Sequence, residues 1–378
     1  MNNVQLGLIK VLWGFTFLWA SISMAQNYTL PLYELEIDVD YLQTLNNNPW
    51  TSNTFPATVK FEDEVYNCEV RYRGASARNL PKKSWKLFFD NSSPLNRKVI
   101  NLNSEYRDIS LNHNHLTLQL ARSIGLPAPV TRHVSLSVNG VYFGVYLEIE
   151  NIDKQFFESR ENSALELYKS RTHASRFAPP LNPFNLPIIY EPKFLTQGSL
   201  DTLGKRLSFF QYSPPGSNTH ELVRIVDVDN LIKYFALMYA VCGWDGFDKN
   251  FYLWRRDDNR YLLIPWDCDA TFGNDWLGNF VGFESIKTFT PLLEQSLFQH
   301  LIAVPEYGRR LHVMIEFIVG EGFQIAERIL SDTYDLIRHD VYLDTLMLGD
   351  MESFDVDQQN FHDFIEGRRR NLQGLDWF

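Results

Sequence analysis

The sequence predicts an α+β protein of two lobes, strand-rich in its first part and helix-rich in its second. Three observations carry this. Short segments rich in β-branched and aromatic residues crowd the stretch from 57 to 149. A mostly apolar helix follows Asp227, and past Thr288 the sequence reads as several helices, the last ending near Arg368-Arg369-Arg370. Strands first and helices after is the pattern of segregated α+β architecture.

The elements follow in chain order. Strands are predicted over 57–61, 66–72 and 84–89, each bounded by turn formers. From Ser110 to Ile124 apolar residues fall at 111, 116, 120 and 124, a helical spacing that Gly125 ends and Pro127-Ala128-Pro129 forbids from continuing. Strands over 134–138 and 142–149 flank Asn139-Gly140, a strong hairpin signal. The Pro- and Asn-rich stretch 177–185 reads as a long loop. The next helix takes Asp227 or Asp229 as its cap and sets Leu231, Phe235, Met238 and Cys242 on one face. Its other faces are also apolar, which predicts a central position.

Composition narrows the class. At 378 residues, 45% hydrophobic and 21% charged, the chain is globular and long enough for two lobes with a sizeable core. A net charge of −11 argues against a broad nucleic-acid surface. Lys10, the apolar run 11–20 and Ser23-Met24-Ala25 form a signal peptide over 1–25, cut after Ala25. That run is shorter than the roughly 20 residues that span a bilayer. Secretion to an extracytoplasmic site, periplasm or cell surface, is the expectation, with no stable membrane span. Three cysteines, Cys68, Cys242 and Cys268, are too few and odd in number for a disulfide framework, and the last two read as buried thiols. Asn27-Tyr28-Thr29 and Asn91-Ser92-Ser93 have the form of glycosylation triplets.

The chemistry concentrates between Trp244 and Gly273. A loop holding Asp245 and Asn250 precedes a strand over 251–255; a turn at Asp257-Asp258-Asn259 leads to a strand over 261–265; a second loop follows with Asp267 and Asp269. Both loops leave the same end of one hairpin, so the four polar residues converge. A carboxylate that accepts a hydroxyl proton, beside an Asn and an Asp that hold Mg²⁺, is the working set of phosphoryl transfer. The four-residue gap between Asp245 and Asn250, with the metal Asp after the next hairpin, repeats the spacing of protein kinases, although Gly243-Trp244 stands where His-Arg is usual. Asp257 and Asp258 are turn formers. A second cluster, Arg71 to Lys86, joins two strands by a basic loop of small residues, including Arg73, Gly74, Ser76, Arg78, Lys83 and Lys86, suited to phosphate. His113 and His115, two residues apart, do not share a helical face, which argues against a zinc site using the pair.

Together these segments resemble the CotH kinase family. The matching motifs are Arg71-Tyr-Arg-Gly-Ala-Ser, Pro81-Lys-Lys-Ser-Trp-Lys, Gly125-Leu-Pro-Ala-Pro129, residues 138–148 with Ile152-Asp-Lys154, Leu167-Tyr-Lys169, Asp245 to Asn250, and Ile264 to Gly273, all in the family's order. The resemblance implies an atypical protein-kinase-like fold, with a strand-rich nucleotide-binding lobe over 26–150 and a helical lobe with the catalytic and metal loops over 151–378. It implies ATP with Mg²⁺ or Mn²⁺, and phosphate transfer to a secreted or surface protein. Asp245 is then the catalytic carboxylate, and Asn250 with Asp267 or Asp269 the metal set. Lys83 or Lys86 is the phosphate lysine, and the stretch holding Glu148 and Glu150 edges the adenine. The 110–124 helix offers no Glu to pair with that lysine, and Glu105 lies outside it. Two other functions compete: a non-catalytic surface or coat protein keeping the fold for binding, and carbohydrate binding through exposed aromatics such as Trp276. Retention of all four acidic-site residues favours the enzyme.

Overall fold

Alternation along the first strands closes a barrel. In Leu32–Ile37 (β1) Tyr33, Leu35 and Ile37 are buried; in Phe55–Phe61 (β2) the buried set is Ala57, Val59 and Phe61; in Glu64–Arg73 (β3) it is Cys68, Val70 and Tyr72. A period of two puts each set on one face of the pleat. Ser84–Phe88 (β4), Val99–Asn103 (β5), Thr131–Val138 (β6) and Val141–Glu150 (β7) complete the order β1-β2-β3-β4-β5-β7-β6, and β1 closes the ring by pairing parallel to β6. Closure leaves no open sheet edge. Patterning revealed five of these strands; β1 and β5 are additions. Asn139 and Gly140 both take positive φ, +50° and +75°, as the tight β6–β7 turn requires. Trp85 fills the barrel, with the Tyr72 ring edge-on at 4.7 Å.

The computed structural model describes residues 28–90, 92–176, 185–284 and 295–372. The signal segment 1–25, Asn27, Asn91 and all but the last residue of the loop predicted over 177–185 lie outside them.

After β7 a second, antiparallel sheet forms from Glu166–Ser170 (β8), Tyr190–Leu195 (β9), Phe251–Arg255 (β10) and Tyr261–Pro265 (β11), in the order β11-β10-β8-β9. The central helix, Val228–Ala240, is capped by the Asp227 carboxylate, which accepts from the Asn230 amide at 3.1 Å. It lies in the largest apolar cluster with Phe251, Leu253, Leu263 and the later helices Ser296–Ile302, Pro305–Phe317, Phe323–Tyr342 and Met351–Leu372. The helix His113–Ser123 belongs to the same cluster through Leu116, Leu118 and Leu120. All three cysteines are buried and free.

Buried polar clamps fix the later helices to the barrel. Lys82 donates to the Asp344 carboxylate at 2.5 Å and to the Val145 carbonyl at 2.6 Å, with both charged side chains essentially sealed from solvent. Asp340 accepts from the Thr29 and Leu30 amides, each at 2.9 Å, and from the Ser135 hydroxyl at 2.9 Å. Among the described residues no helix is long and apolar enough to cross a membrane.

Candidate active site

The β10–β11 hairpin pairs Phe251 with Pro265, so the loops before and after it leave side by side. The Trp266 amide continues that pairing by donating to the Asn250 carbonyl at 3.1 Å. Asn250 and Asp267 both adopt the left-handed conformation, φ +59° and +55°, which Asn and Asp tolerate better than other side chains. From there the Asn250 amide donates to the Asp267 carbonyl at 3.0 Å and approaches the Asp245 carboxylate at 3.4 Å. Asp245 opens the short helical turn Asp245–Asp248, which Tyr234 of the central helix holds by donating to the Gly246 carbonyl at 2.7 Å. Lys249 lies 3.2 Å from the Asp245 carboxylate.

The second loop is pinned from behind. The Cys268 amide donates to the Asn114 side chain at 3.1 Å, His113 Nδ1 lies 2.7 Å from the Thr271 carbonyl, and the Thr117 and Thr271 hydroxyls meet at 2.9 Å. Asp267 is exposed and Asp269 half-buried. Burial first, then the charges of Asp267, Glu105, Asp245 and Asp108, hold the Asp269 carboxyl well above the usual range. Glu105 is pushed up to about 7 by burial and by Asp108 and Asp267. Several carboxylates crowding one half-buried spot disfavour one another's charge, and a divalent cation with a preference for oxygen donors relieves that repulsion. Asn250, Asp267 and Asp269 therefore fit a Mg²⁺-type ion.

Across from the acids stand cations. Arg73, at the end of β3, stacks over the Trp266 ring at 5.7 Å and feels the charge of Asp267. Lys169 on β8 lies 5.5 Å from the same ring and also senses Asp267. Lys86 on β4 reaches Asn151 Oδ1 at 3.4 Å. Burial, then Arg73, Arg71 and Lys193, pushes its ammonium down to about 7. So many cations close together mark a place for an anion.

The sequence-predicted residues thus divide. Asp245, Asn250, Asp267, Asp269 and Arg73 come together, and Ser76 lines a cavity of about 90 Å³ shared with Asp267 and Asp269. Gly74 makes the turn out of β3 with φ +99°. Lys86 joins the cations, whereas Lys83 turns away and donates to the Arg78 and Leu80 carbonyls at 2.8 and 2.6 Å. Arg78 stacks on Trp50 at 5.6 Å. The Glu148 carboxylate is taken by Arg97, Arg132 and Tyr33, and that of Glu150 by Arg160 and the Val130 amide. A larger cavity of about 520 Å³, lined by Arg97, Arg122, Glu150 and Arg160 among others, contains none of the acidic set, so volume alone does not locate the chemistry.

Sequence reasoning passed over Lys249 and Asn114, quoted Lys169 only as part of a motif, and set Glu105 aside as lying outside the helix. Lys169 and Lys249 stand inside stretches already singled out; Glu105 and Asn114 arrive only through tertiary packing.

Several known proteins are similar to this chain. The CotH kinase protein family matches residues 70–372. The chain is 26% identical over 363 residues to inner spore coat protein H of Bacillus subtilis strain 168, covering 93% of this chain and 98% of the relative. It is 24% identical over 251 residues to the inner spore coat protein H-like protein of the same strain, covering 65% and 68%. Similar solved structures, both at 10% identity, include a chain of the Shewanella oneidensis MR-1 complex of HipA, HipB and operator DNA, with TM-score 0.38, covering 89% of this chain and 71% of that one. The Helicobacter pylori proinflammatory kinase CtkA has TM-score 0.30, covering 86% and 94%. A family match running from the last four residues of β3 to the end of the C-terminal helix takes in the cationic strands, the hairpin and both acidic loops, and on it the chain belongs to the CotH kinase protein family.

Proposed function

We propose that this protein is a secreted kinase that transfers the γ-phosphoryl group of ATP to a serine or threonine hydroxyl of a secreted or surface protein. The observation that carries it is the acidic set Asp245, Asn250, Asp267 and Asp269 at one end of the β10–β11 hairpin, facing Arg73, Lys86 and Lys169. In this reading the acceptor hydroxyl approaches Asp245, whose carboxylate takes the proton as the hydroxyl oxygen bonds to the γ-phosphorus. The bond from that phosphorus to the β,γ-bridging oxygen breaks, and ADP leaves with the electron pair. Asn250, by donating to the Asp267 carbonyl, holds the two loops at fixed spacing while this happens.

Arg73, Lys86 and Lys169 supply the countercharge that orients the phosphates. Asn250, Asp267 and Asp269 would hold Mg²⁺ or Mn²⁺, which when bound neutralises charge on the transferred group. Asp269, whose carboxyl is held high by burial and then by its acidic neighbours, would ionise fully in that setting. Lys249, beside Asp245, keeps that carboxylate turned toward Asn250.

The test is incubation of the mature protein with labelled ATP, Mg²⁺ or Mn²⁺ and the proteins secreted by its own source. Label on serine or threonine of a protein supports the reading. Binding of ATP without transfer to any protein would leave the fold serving as a binding module.

A further inference from the structure

A second cluster of carboxylate and imidazole groups adjoins the set proposed for the nucleotide: Asp108 and Asn274 line the same small cavity as Asp267 and Asp269, whereas His113 and Asp357 do not line it. Asp108, on the segment after β5, His113, at the start of its helix, and Asp357, on the C-terminal helix Met351–Leu372, are all buried. Their ligand atoms lie within 4.8 Å of one another. His113 Nε2 is 3.9 Å from Asp108 Oδ1 and 4.0 Å from Asp357 Oδ2. Two atoms bound to one ion at about 2.1 Å can stand no more than about 4.2 Å apart. The two histidine separations already satisfy that limit, and the carboxylate pair, within 4.8 Å, needs at most a small contraction.

The fourth side chain supplies an independent sign. Asn274, only 3% exposed, sets its amide nitrogen 2.8 Å from His113 Nε2, and its Oδ1 has no partner. A buried, unpaired carbonyl oxygen is costly and asks for a donor or a cation. As observed, the Asn274 N–H donates to the His113 Nε2 lone pair; only with a cation between them would a half-turn of the amide free that lone pair and bring Oδ1 in as a further ligand. The histidine is set up to match. Its Nδ1 lies 2.7 Å from the Thr271 carbonyl, which can only accept, so the proton sits on Nδ1 and Nε2 offers its lone pair to the cluster. Among the described residues the hydrogen bonds of Asp108 and Asp357 come from Ser110, the His113 amide and Asn360, none of them a cation.

We propose that Asp108, His113, Asp357 and Asn274 bind a structural divalent cation of the Zn²⁺ or Mn²⁺ kind. One imidazole nitrogen with three oxygens, two of them charged, suits those ions better than Mg²⁺ or Ca²⁺ and leaves the buried site neutral. The ion would join the C-terminal helix to the His113 helix and to the end of the Asp267–Gly273 loop, bracing that loop from behind. His115, two residues on, turns elsewhere and meets Thr131 and His133, so the argument against a zinc site shared by His113 and His115 holds, while His113 finds its partners through tertiary packing.

The test is metal analysis of the whole mature protein, expressed with Zn²⁺ and Mn²⁺ supplied and freed of loose metal by gel filtration. The expected result is about one equivalent of one of these ions per chain. Asp357→Asn and His113→Gln are expected to lose it while circular dichroism shows a folded protein. Asp269→Asn, altered in the nucleotide set, keeps it. Should either variant fail to fold, melting of chelator-treated wild type with added Zn²⁺ or Mn²⁺ reads the same site, and a saturating rise at micromolar ion is expected. Wild type that carries no ion and gains no stability from either metal overturns the proposal, leaving a hydrogen-bonded network only. Loss of the ion in Asp269→Asn but not in Asp357→Asn also overturns it, since the ion then belongs to the nucleotide set.

Discussion

Asn250 and Asp267 are joined across the root of the β10–β11 hairpin, the side-chain amide of the first donating to the backbone carbonyl of the second at 3.0 Å. Both residues sit in the left-handed region, so each loop turns sharply at the point where the two are tied. Because the same amide also approaches Asp245 at 3.4 Å, one side chain sets the spacing of all three groups.

That tie separates backbone from side-chain roles. Asn250→Gly keeps the left-handed turn at little cost but removes the amide, and Asn250→Ala removes the amide and adds strain of about 1 kcal/mol. Both variants are expected to lose Mg²⁺-dependent nucleotide binding, and only the alanine variant to melt markedly lower. Calorimetric titration and thermal melts check this; unchanged nucleotide binding in both would show that the amide has no part in the site.

Lys86 gives a pH signature. Its ammonium is pushed down from 10.5 to about 7 by burial and by Arg73, Arg71 and Lys193. Between those two values the unfolded chain binds more protons than the folded one, so the free protein gains stability as pH rises through that window and loses it as pH falls toward about 7. Lys86→Met should flatten that slope. ATP acts in the opposite sense, because phosphate favours the charged lysine, so binding near pH 8 should take up a proton in wild type and not in Lys86→Met. Calorimetry in buffers of different ionisation enthalpy measures the uptake.

The Lys82–Asp344 pair should behave as a structural clamp. Removing one member leaves the other charged and buried, at a cost of about 3–5 kcal/mol. Lys82→Met and Asp344→Asn are each expected to lower the denaturation midpoint strongly, and the double variant to recover part of the loss. Additive losses in the double variant would mean that the two side chains do not act as a pair.

For export, the expected mature N-terminus is Gln26. Intact-mass analysis of the exported protein is the check, and residues 1–25 still attached would contradict secretion by a cleaved signal.

Much of this architecture was legible locally. Asn139-Gly140, the hairpin around Asp257-Asp258-Asn259 and the Asp227-capped central helix each declare themselves within a few residues, because turns and caps use side chains of special conformational preference. β8 does not: it is buried on both faces apart from Lys169, so Glu166–Ser170 shows no alternation to read. The choice between Lys83 and Lys86 was likewise out of reach. It depends on β4 starting at Ser84, which puts Lys86 in the strand, while Lys83, just before it, donates to the Arg78 and Leu80 carbonyls. Glu105 offers no local signal, since its left-handed backbone and its place beside Asp267 are products of packing.

The central claim is that Asp245 is a catalytic base, and single-turnover transfer from labelled ATP by wild type and Asp245→Asn tests it most directly, with nucleotide affinity measured on the same samples. The substitution keeps size and hydrogen bonding but removes the carboxylate. The account predicts nearly unchanged ATP affinity and a transfer rate lower by about 10²–10⁴. Equal transfer rates in the two proteins, at equal affinity, would contradict it.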